Sequence, residues 1–142
     1  MSATDLAGSE LGTTAWIEVT QARIDEFARA TGDPQWIHVD AVRAAAGPFA
    51  TTIAHGFLTL SLVVPMLNEV VPPTEGLAIN YGVDRVRFPA PVPSGSRIRG
   101  RFRVDDVSQV RGGEQLRIAA TIEREGGEKP VCVADLLVRI VL

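Results

Sequence analysis

Apolar and polar positions fall into two textures along this chain. In the first half most of the pattern is helical. Trp16-Ile17-Glu18-Val19 alternates, as a short strand does. Thr20 is suited to cap a helix in which Ile24, Phe27 and Ala28 fall at i, i+3 and i+4 on one face. Gly32 predicts the stop of that helix, and Asp33-Pro34 predicts an extended or turn conformation after it. Asp40 to Ala46 predicts a short helix ending at Gly47-Pro48. The longest apolar segment, Gly56 to Val71, is apolar almost all round, the mark of a helix buried on most sides. Pro65 within it predicts a kink or a division.

The second half reads as strands. Leu77 to Phe88 is rich in β-branched and aromatic residues around Gly82. Arg97 to Val104 places arginines 97, 99, 101 and 103 on one face and mostly apolar residues on the other. Leu116 to Ile122 alternates more loosely, and Val131 to Leu142 is nearly continuously apolar. Gly112-Gly113 and Gly126-Gly127 mark turns between neighbours. The order of strand, helices, one buried helix and then a strand meander predicts an α+β fold, with an antiparallel sheet packed on a central helix. The pattern holds no repeat and no linker, so residues 1–142 read as one domain. Met1 to Thr13, small and polar, reads as a flexible N-terminus.

Composition narrows the function classes. A hydrophobic content of 46% supports a real core, and a net charge of −3 offers no general attraction to nucleic acid or an anionic membrane. The one cysteine, Cys132, excludes an intrachain disulfide and a zinc site of several cysteines, and suits a reducing compartment. With no signal-peptide pattern and no apolar run near the roughly 20 residues of a membrane span, the expectation is a soluble cytoplasmic protein.

Both histidines lie at breaks in the pattern. Asp33 and His38 flank a segment broken by Pro34. A carboxylate and an imidazole brought to one point can share a water and move its protons near neutral pH. The alternative is that Asp33 only starts a turn and His38 only flanks a helix. His55-Gly56 stands where the buried helix begins. The first N–H groups of a helix are unpartnered and carry the positive dipole end, and glycine admits a substrate close to the backbone, so Gly56 can hold a developing oxyanion. His55 itself reads as a satisfied, partly buried histidine. Ser61 and Asn80 are polar residues in apolar surroundings; each either satisfies a nearby backbone group or orients a catalytic side chain. The arginine stripe reads as the solvated face of a strand, and Cys132 as a small core residue.

These motifs resemble the MaoC-like, R-specific enoyl-CoA hydratases of hot-dog fold. That family carries an Asp and a His five apart, usually within Gly-Asp-x-Asn-Pro-x-His, and then a His-Gly pair opening the central helix. Here they are Gly32-Asp33 to His38 and Ala54-His55-Gly56-Phe57. The likeness is stronger to a subgroup that includes nodulation protein N and a mycobacterial R-specific hydratase. It runs through Gln35-Trp36-Ile37-His38-Val39-Asp40, then Ile79-Asn80-Tyr81-Gly82 and Val86-Arg87-Phe88-Pro89-Ala90-Pro91. Gln35-Trp36 replaces the usual Asn-Pro, which bears on substrate range more than on reaction type.

The resemblance implies an antiparallel sheet wrapped around a long central helix. It implies addition of water to a trans-2-enoyl-CoA to give an (R)-3-hydroxyacyl-CoA, reversibly, a hydro-lyase reaction of fatty-acid metabolism. Asp33 and His38 are the implied catalytic pair and Gly56 the oxyanion donor. His55, Ser61, Asn80, Tyr81 and Gly82 are supporting candidates. It implies no metal and no redox cofactor, the coenzyme A thioester being the substrate, and a homodimer. Two rivals are an acyl-CoA thioesterase of the same fold and a non-catalytic acyl-thioester-binding protein. The thioesterase is disfavoured because Gly56 to Asn68 contains no carboxylate to direct water at the thioester carbon.

Overall fold

A computed structural model describes residues 1–142. The alternation seen in the second half of the sequence produces long strands. β1 (Glu10–Thr13) and β2 (Ile17–Val19) precede three helices, α1 (Gln21–Thr31), α2 (Trp36–Val39) and α3 (Ala41–Ala45). The long helix α4 (Gly56–Val70) follows, and then β3 (Leu77–Arg87), β4 (Ser96–Val110), β5 (Gly113–Arg124) and β6 (Cys132–Val141). All pairings are antiparallel. The sheet order is β1-β4-β5-β6-β3, and β2 pairs with β4 along the same edge as β1. This is the hot-dog arrangement, a sheet curved around one helix.

The core follows from the period of two. Ile98, Phe102 and Val104 of β4, Leu116, Ile118 and Ile122 of β5, and Leu136, Val138 and Ile140 of β6 point inward. They meet Leu58, Val63, Met66 and Leu67 of α4 in one apolar cluster. Gly100 interrupts the inward row because a Cβ there would stand 2.6 Å from the Phe102 ring. The arginines of β4 point outward. Arg97 pairs with Glu125 at 2.9 Å and Arg103 with Asp105 at 2.7 Å, while Arg99 pairs with Glu123 at 2.5 Å and lies over Trp16. The stripe is an ion-paired outer face. Cys132 is buried, and burial pushes its thiol up to about 11, so it packs rather than reacts.

Helix α1 forms where its caps predict. The Thr20 hydroxyl accepts from the Arg23 N–H at 3.1 Å, and Gly32, at φ +75°, ends the helix in the left-handed region. The structure departs from some expectations. Of the kink or division expected at Pro65, the division does not occur: α4 runs uninterrupted for 15 residues. Proline removes the N–H that would meet the Ser61 carbonyl, and the cost is tolerated within a helix packed along one whole side. That packing is one-sided: Phe57, Ser61, Pro65 and Asn68 form an exposed stripe, where the apolar sequence reads as burial on most sides.

A further correction is the start of the chain. Residues 1–13, read from composition as flexible, are folded onto the sheet. Ala3 and Leu6 are buried within a 3-10 turn capped by Ser2, and the Glu114 carboxylate accepts from the hydroxyls of Ser2 and Thr4. Two buried apolar side chains and one distant carboxylate anchor a segment too short to show a period. No helix is long and apolar enough to cross a membrane.

Candidate active site

The site forms where α1 hands over to the Asp33-Pro34 turn. After the extended or turn conformation expected at Asp33-Pro34 comes the single turn α2, closed by the His38 N–H on the Gln35 carbonyl at 3.0 Å. This turn carries the His38 ring inward, to 6% exposure. A residue that sequence reading passed over holds it there. Gln21, in the first turn of α1, donates to the His38 carbonyl at 2.8 Å and accepts from the Thr52 hydroxyl at 2.6 Å. It ties α1, α2 and the strand-like Thr52-Ile53 together. A glutamine on a helix gives no signal of this role in sequence.

His38 and His55 stack. Their ring centroids are 3.8 Å apart with planes 23° from parallel, and Phe27 of α1 lies 4.9 Å from the His55 ring on another side. The partners of each ring define its tautomer, because a peptide carbonyl can only accept. His38 Nδ1 faces the Ile53 carbonyl at 2.7 Å and therefore carries the proton, which leaves Nε2 as its basic nitrogen. His55 Nε2 faces the Asp33 carbonyl at 3.0 Å and carries its proton there. Burial holds the His38 imidazole below the usual histidine range; the Ile53 carbonyl opposes that shift and the neighbouring His55 adds to it.

Asp33 stands at the edge of this pair. Its side chain is 55% exposed, with Oδ2 4.0 Å from His55 Nε2 and Oδ1 3.5 Å from the Gln35 N–H. One polar atom each from Asp33, His38 and His55 fall within 4.8 Å of one another. That separation suits a water bridging the carboxylate and the imidazole. The same three groups have the makings of a metal ligand set, but the geometry is not preformed for one. Stacked rings send their lone pairs side by side rather than toward a common centre, and His55 Nε2 is already committed to the Asp33 carbonyl.

A cavity of about 420 Å³ opens against His38. Its walls are mostly apolar: Ile37, Phe49, Ile53, Val92, Val131 and the run Phe88-Pro89-Ala90-Pro91. Gly56 opens onto it as the first residue of α4, with no protein acceptor for its N–H. Phe88 lies so close that a Cβ on Gly56 would stand 2.9 Å from the ring. Glycine is therefore the residue that leaves both the N–H and the space beside it free.

The supporting candidates divide. His55 is in the site. Ser61 is not: its hydroxyl donates to the Phe57 carbonyl at 2.7 Å on the exposed side of α4. Asn80, Tyr81 and Gly82 lie on β3 and border a separate hollow of about 240 Å³ with Leu60, Val64, Leu136 and Leu137. Within one chain they do not reach Asp33 or His38. Thr59 and Phe49, which sequence reading left unassigned, also line the cavity.

The profile of the MaoC like domain family matches residues 2–126. The chain is 51% identical over 138 residues to 3-hydroxyacyl-thioester dehydratase Z of Mycobacterium tuberculosis (strain ATCC 25618 / H37Rv), covering 95% of this chain and 91% of that one. It is 48% identical over 135 residues to nodulation protein N of Rhizobium meliloti (strain 1021), covering 92% and 83%. Its fold matches a MaoC-like dehydratase from Rhodospirillum rubrum with a TM-score of 0.82 at 22% identity, covering 99% and 97%. It also matches the (R)-hydratase from A. caviae involved in PHA biosynthesis with a TM-score of 0.79 at 22% identity, covering 94% and 96%. The chain belongs to the MaoC-like family and has the hot-dog fold.

Proposed function

We propose that this protein adds water to the double bond of a trans-2-enoyl thioester carried by coenzyme A, forming the (R)-3-hydroxyacyl thioester, and catalyses the reverse dehydration. The observation that carries this reading is an apolar cavity lined by His38 and by Gly56, whose N–H is unpartnered, with a polar atom of Asp33 within 4.8 Å of one on His38. The thioester oxygen accepts from Gly56, which draws electrons from the double bond and makes the β-carbon electrophilic. Asp33 and His38 hold the water. As its oxygen bonds to the β-carbon, Asp33 takes a proton and the displaced electron pair rests on the thioester oxygen as an enolate. A proton returned through the Asp33–His38 pair to the α-carbon completes the addition and restores the site. The oxyanion contact is worth about 3–4 kcal/mol in systems of this kind, and the acid–base pair a further factor of roughly 10² to 10⁴. Every step uses the chain's own groups and the thioester.

Glu69 argues against a thioesterase. It lies near the far end of α4, about 20 Å from Gly56 at 1.5 Å per residue, and its carboxylate accepts from the Ala15 N–H at 2.8 Å. No carboxylate on this helix faces the thioester.

The reading includes a homodimer. β3 is an edge strand paired only with β6, and Leu77, Ile79, Tyr81 and Val83 along it are 42–65% exposed. A long, apolar, open edge is a template for a second strand. The exposed stripe of α4 with Phe57 at 70% gives the same surface a helical side. Pairing of two copies through β3 covers both and brings Asn80, Tyr81 and Gly82 to an interface.

Turnover of trans-2-butenoyl-CoA in isotopically heavy-oxygen water tests the reaction. The label is expected on the hydroxyl at carbon 3 of an (R) product. A labelled free carboxylic acid instead would mean hydrolysis and would overturn the proposal.

A further inference from the structure

His55 reads in sequence as a satisfied, partly buried histidine and as a supporting candidate by resemblance; the structure buries it and leaves one nitrogen without a partner. The residue is 3% exposed, and its Nδ1 is the one buried side-chain polar atom without a hydrogen-bond partner. An orphaned acceptor in the interior is costly, and an apolar ring of similar shape at this position would avoid it. The other nitrogen explains what the imidazole is there for. Nε2 donates to the peptide carbonyl of Asp33 at 3.0 Å and stands 4.0 Å from the Asp33 carboxylate, while the ring face lies 3.8 Å from that of His38. One side chain thus touches both members of the Asp33–His38 pair, which α1, the turn and α2 deliver on separate pieces of chain. His55 is also the residue immediately before Gly56, so the same backbone position sets the third group of the site.

We propose that His55 is a positioning residue for the hydration reaction: by holding the Asp33 peptide carbonyl while backing the His38 ring, it keeps carboxylate, imidazole and the Gly56 N–H in one register. This rests on the roles given above to Asp33, His38 and Gly56. The Asp33 N–H donates to the Ala28 carbonyl at 3.1 Å, which ties the turn to the end of α1, and the Asp33 side chain accepts only a long contact from Gln35. The His55 bond is the hold on the turn from the side of the site, and its loss leaves the exposed Asp33 carboxylate fixed from the α1 side alone. Misplacement of a catalytic group by about 1 Å costs about 10²-fold in rate.

Two substitutions separate the donor from the ring. His55→Gln keeps an N–H at a reach close to that of Nε2 and loses the aromatic face. His55→Phe keeps the aromatic face, removes the donor and also removes the orphaned acceptor. With enoyl-CoA as substrate, His55→Phe is expected to lose about 10²-fold in kcat with KM nearly unchanged, and to unfold at a temperature close to that of wild type. His55→Gln is expected to recover most of the lost kcat. A His55→Phe enzyme that turns over like wild type overturns the proposal, and so does a His55→Gln enzyme as slow as His55→Phe.

The wild-type protein supplies a measurement independent of activity and of variant folding. Multiple-bond proton–nitrogen correlation spectra identify the tautomer of each imidazole. The expected result is the Nε2–H form of His55 beside the Nδ1–H form of His38. The Nδ1–H form of His55 overturns the proposal, because Nε2 then has no proton to donate to Asp33. A wild-type protein that shows the expected tautomers and yet hydrates no enoyl thioester refutes the proposed reaction, and leaves the Asp33–His55 contact standing.

Discussion

Gly56→Ala adds one methyl group where the proposed mechanism has least room. The new Cβ would stand 2.9 Å from Cδ2 and Cε2 of Phe88. Carbon atoms rest at about 3.5–4.0 Å, so the ring must retreat by roughly 0.5–1 Å. Phe88 is 40% exposed and can swing outward, which makes the fold tolerant of the change. Alanine is also the better helix former, so the first turn of α4 loses nothing by it. What the swing cannot restore is the space beside the Gly56 N–H, through which the thioester oxygen must approach. Loss of an oxyanion donor costs about 2.7–4 kcal/mol, or about 10²–10³ in kcat. Steady-state hydration at saturating enoyl-CoA, measured beside thermal unfolding, checks this. The expected result is a kcat loss in that range with the unfolding temperature nearly unchanged. An alanine enzyme within about threefold of wild type in kcat, or one impaired only in KM, would refute the assignment of Gly56 as the oxyanion donor.

Other expectations follow from the same geometry. Asp33→Asn and His38→Ala should each reduce kcat by about 10²–10⁴-fold and should leave the circular dichroism spectrum as in wild type; unaltered turnover in both would remove the pair from the mechanism. His38 is held below its ordinary range chiefly by burial. The unfolded chain therefore takes up a proton at a higher pH than the folded one, and stability is lost as pH falls below about 6.5. Urea midpoints measured between about pH 5 and about pH 8 should drop on the acid side, and the drop should shrink in His38→Gln; an equal drop in both proteins would contradict the cause given. Gln21→Ala breaks the bonds to His38 and Thr52 and should cost about 1–3 kcal/mol by denaturant unfolding. Val83→Lys on the β3 edge should turn a dimer into a monomer by light scattering, and a variant that stays dimeric would place the interface elsewhere.

Much of this fold could be read from periodicity. The arginine alternation located β4, and its outward row is indeed an ion-paired face. Thr20 and Gly32 bounded α1 correctly because a cap is a local device with a fixed offset. The strand β1 and the buried start of the chain were not legible. Their stability comes from Ala3 and Leu6 meeting a sheet more than ninety residues away in sequence, and from a carboxylate at Glu114. The residues proposed for the chemistry, Asp33, His38 and Gly56, were visible as candidates because few histidines and well-placed glycines stand out. Their support was not. Gln21 acts through hydrogen bonds to distant partners, and Phe27 and Phe88 through distance and shape, none of which a residue type announces. His55 was visible as a supporting candidate, but the sequence does not reveal that one of its nitrogens is unpartnered and the other holds Asp33. Asn80, Tyr81 and Gly82, named as supporting candidates by resemblance, lie on the edge strand β3 beside a separate hollow of the same chain.

The central claim is that the site hydrates an enoyl thioester rather than cleaving or merely binding it. Simultaneous recording of enoyl absorbance and free thiol, with purified protein and trans-2-enoyl-CoA, tests this most directly. The expected result is that the enoyl chromophore disappears while no thiol is released. Release of thiol with the chromophore intact, or no change in either signal, would contradict it.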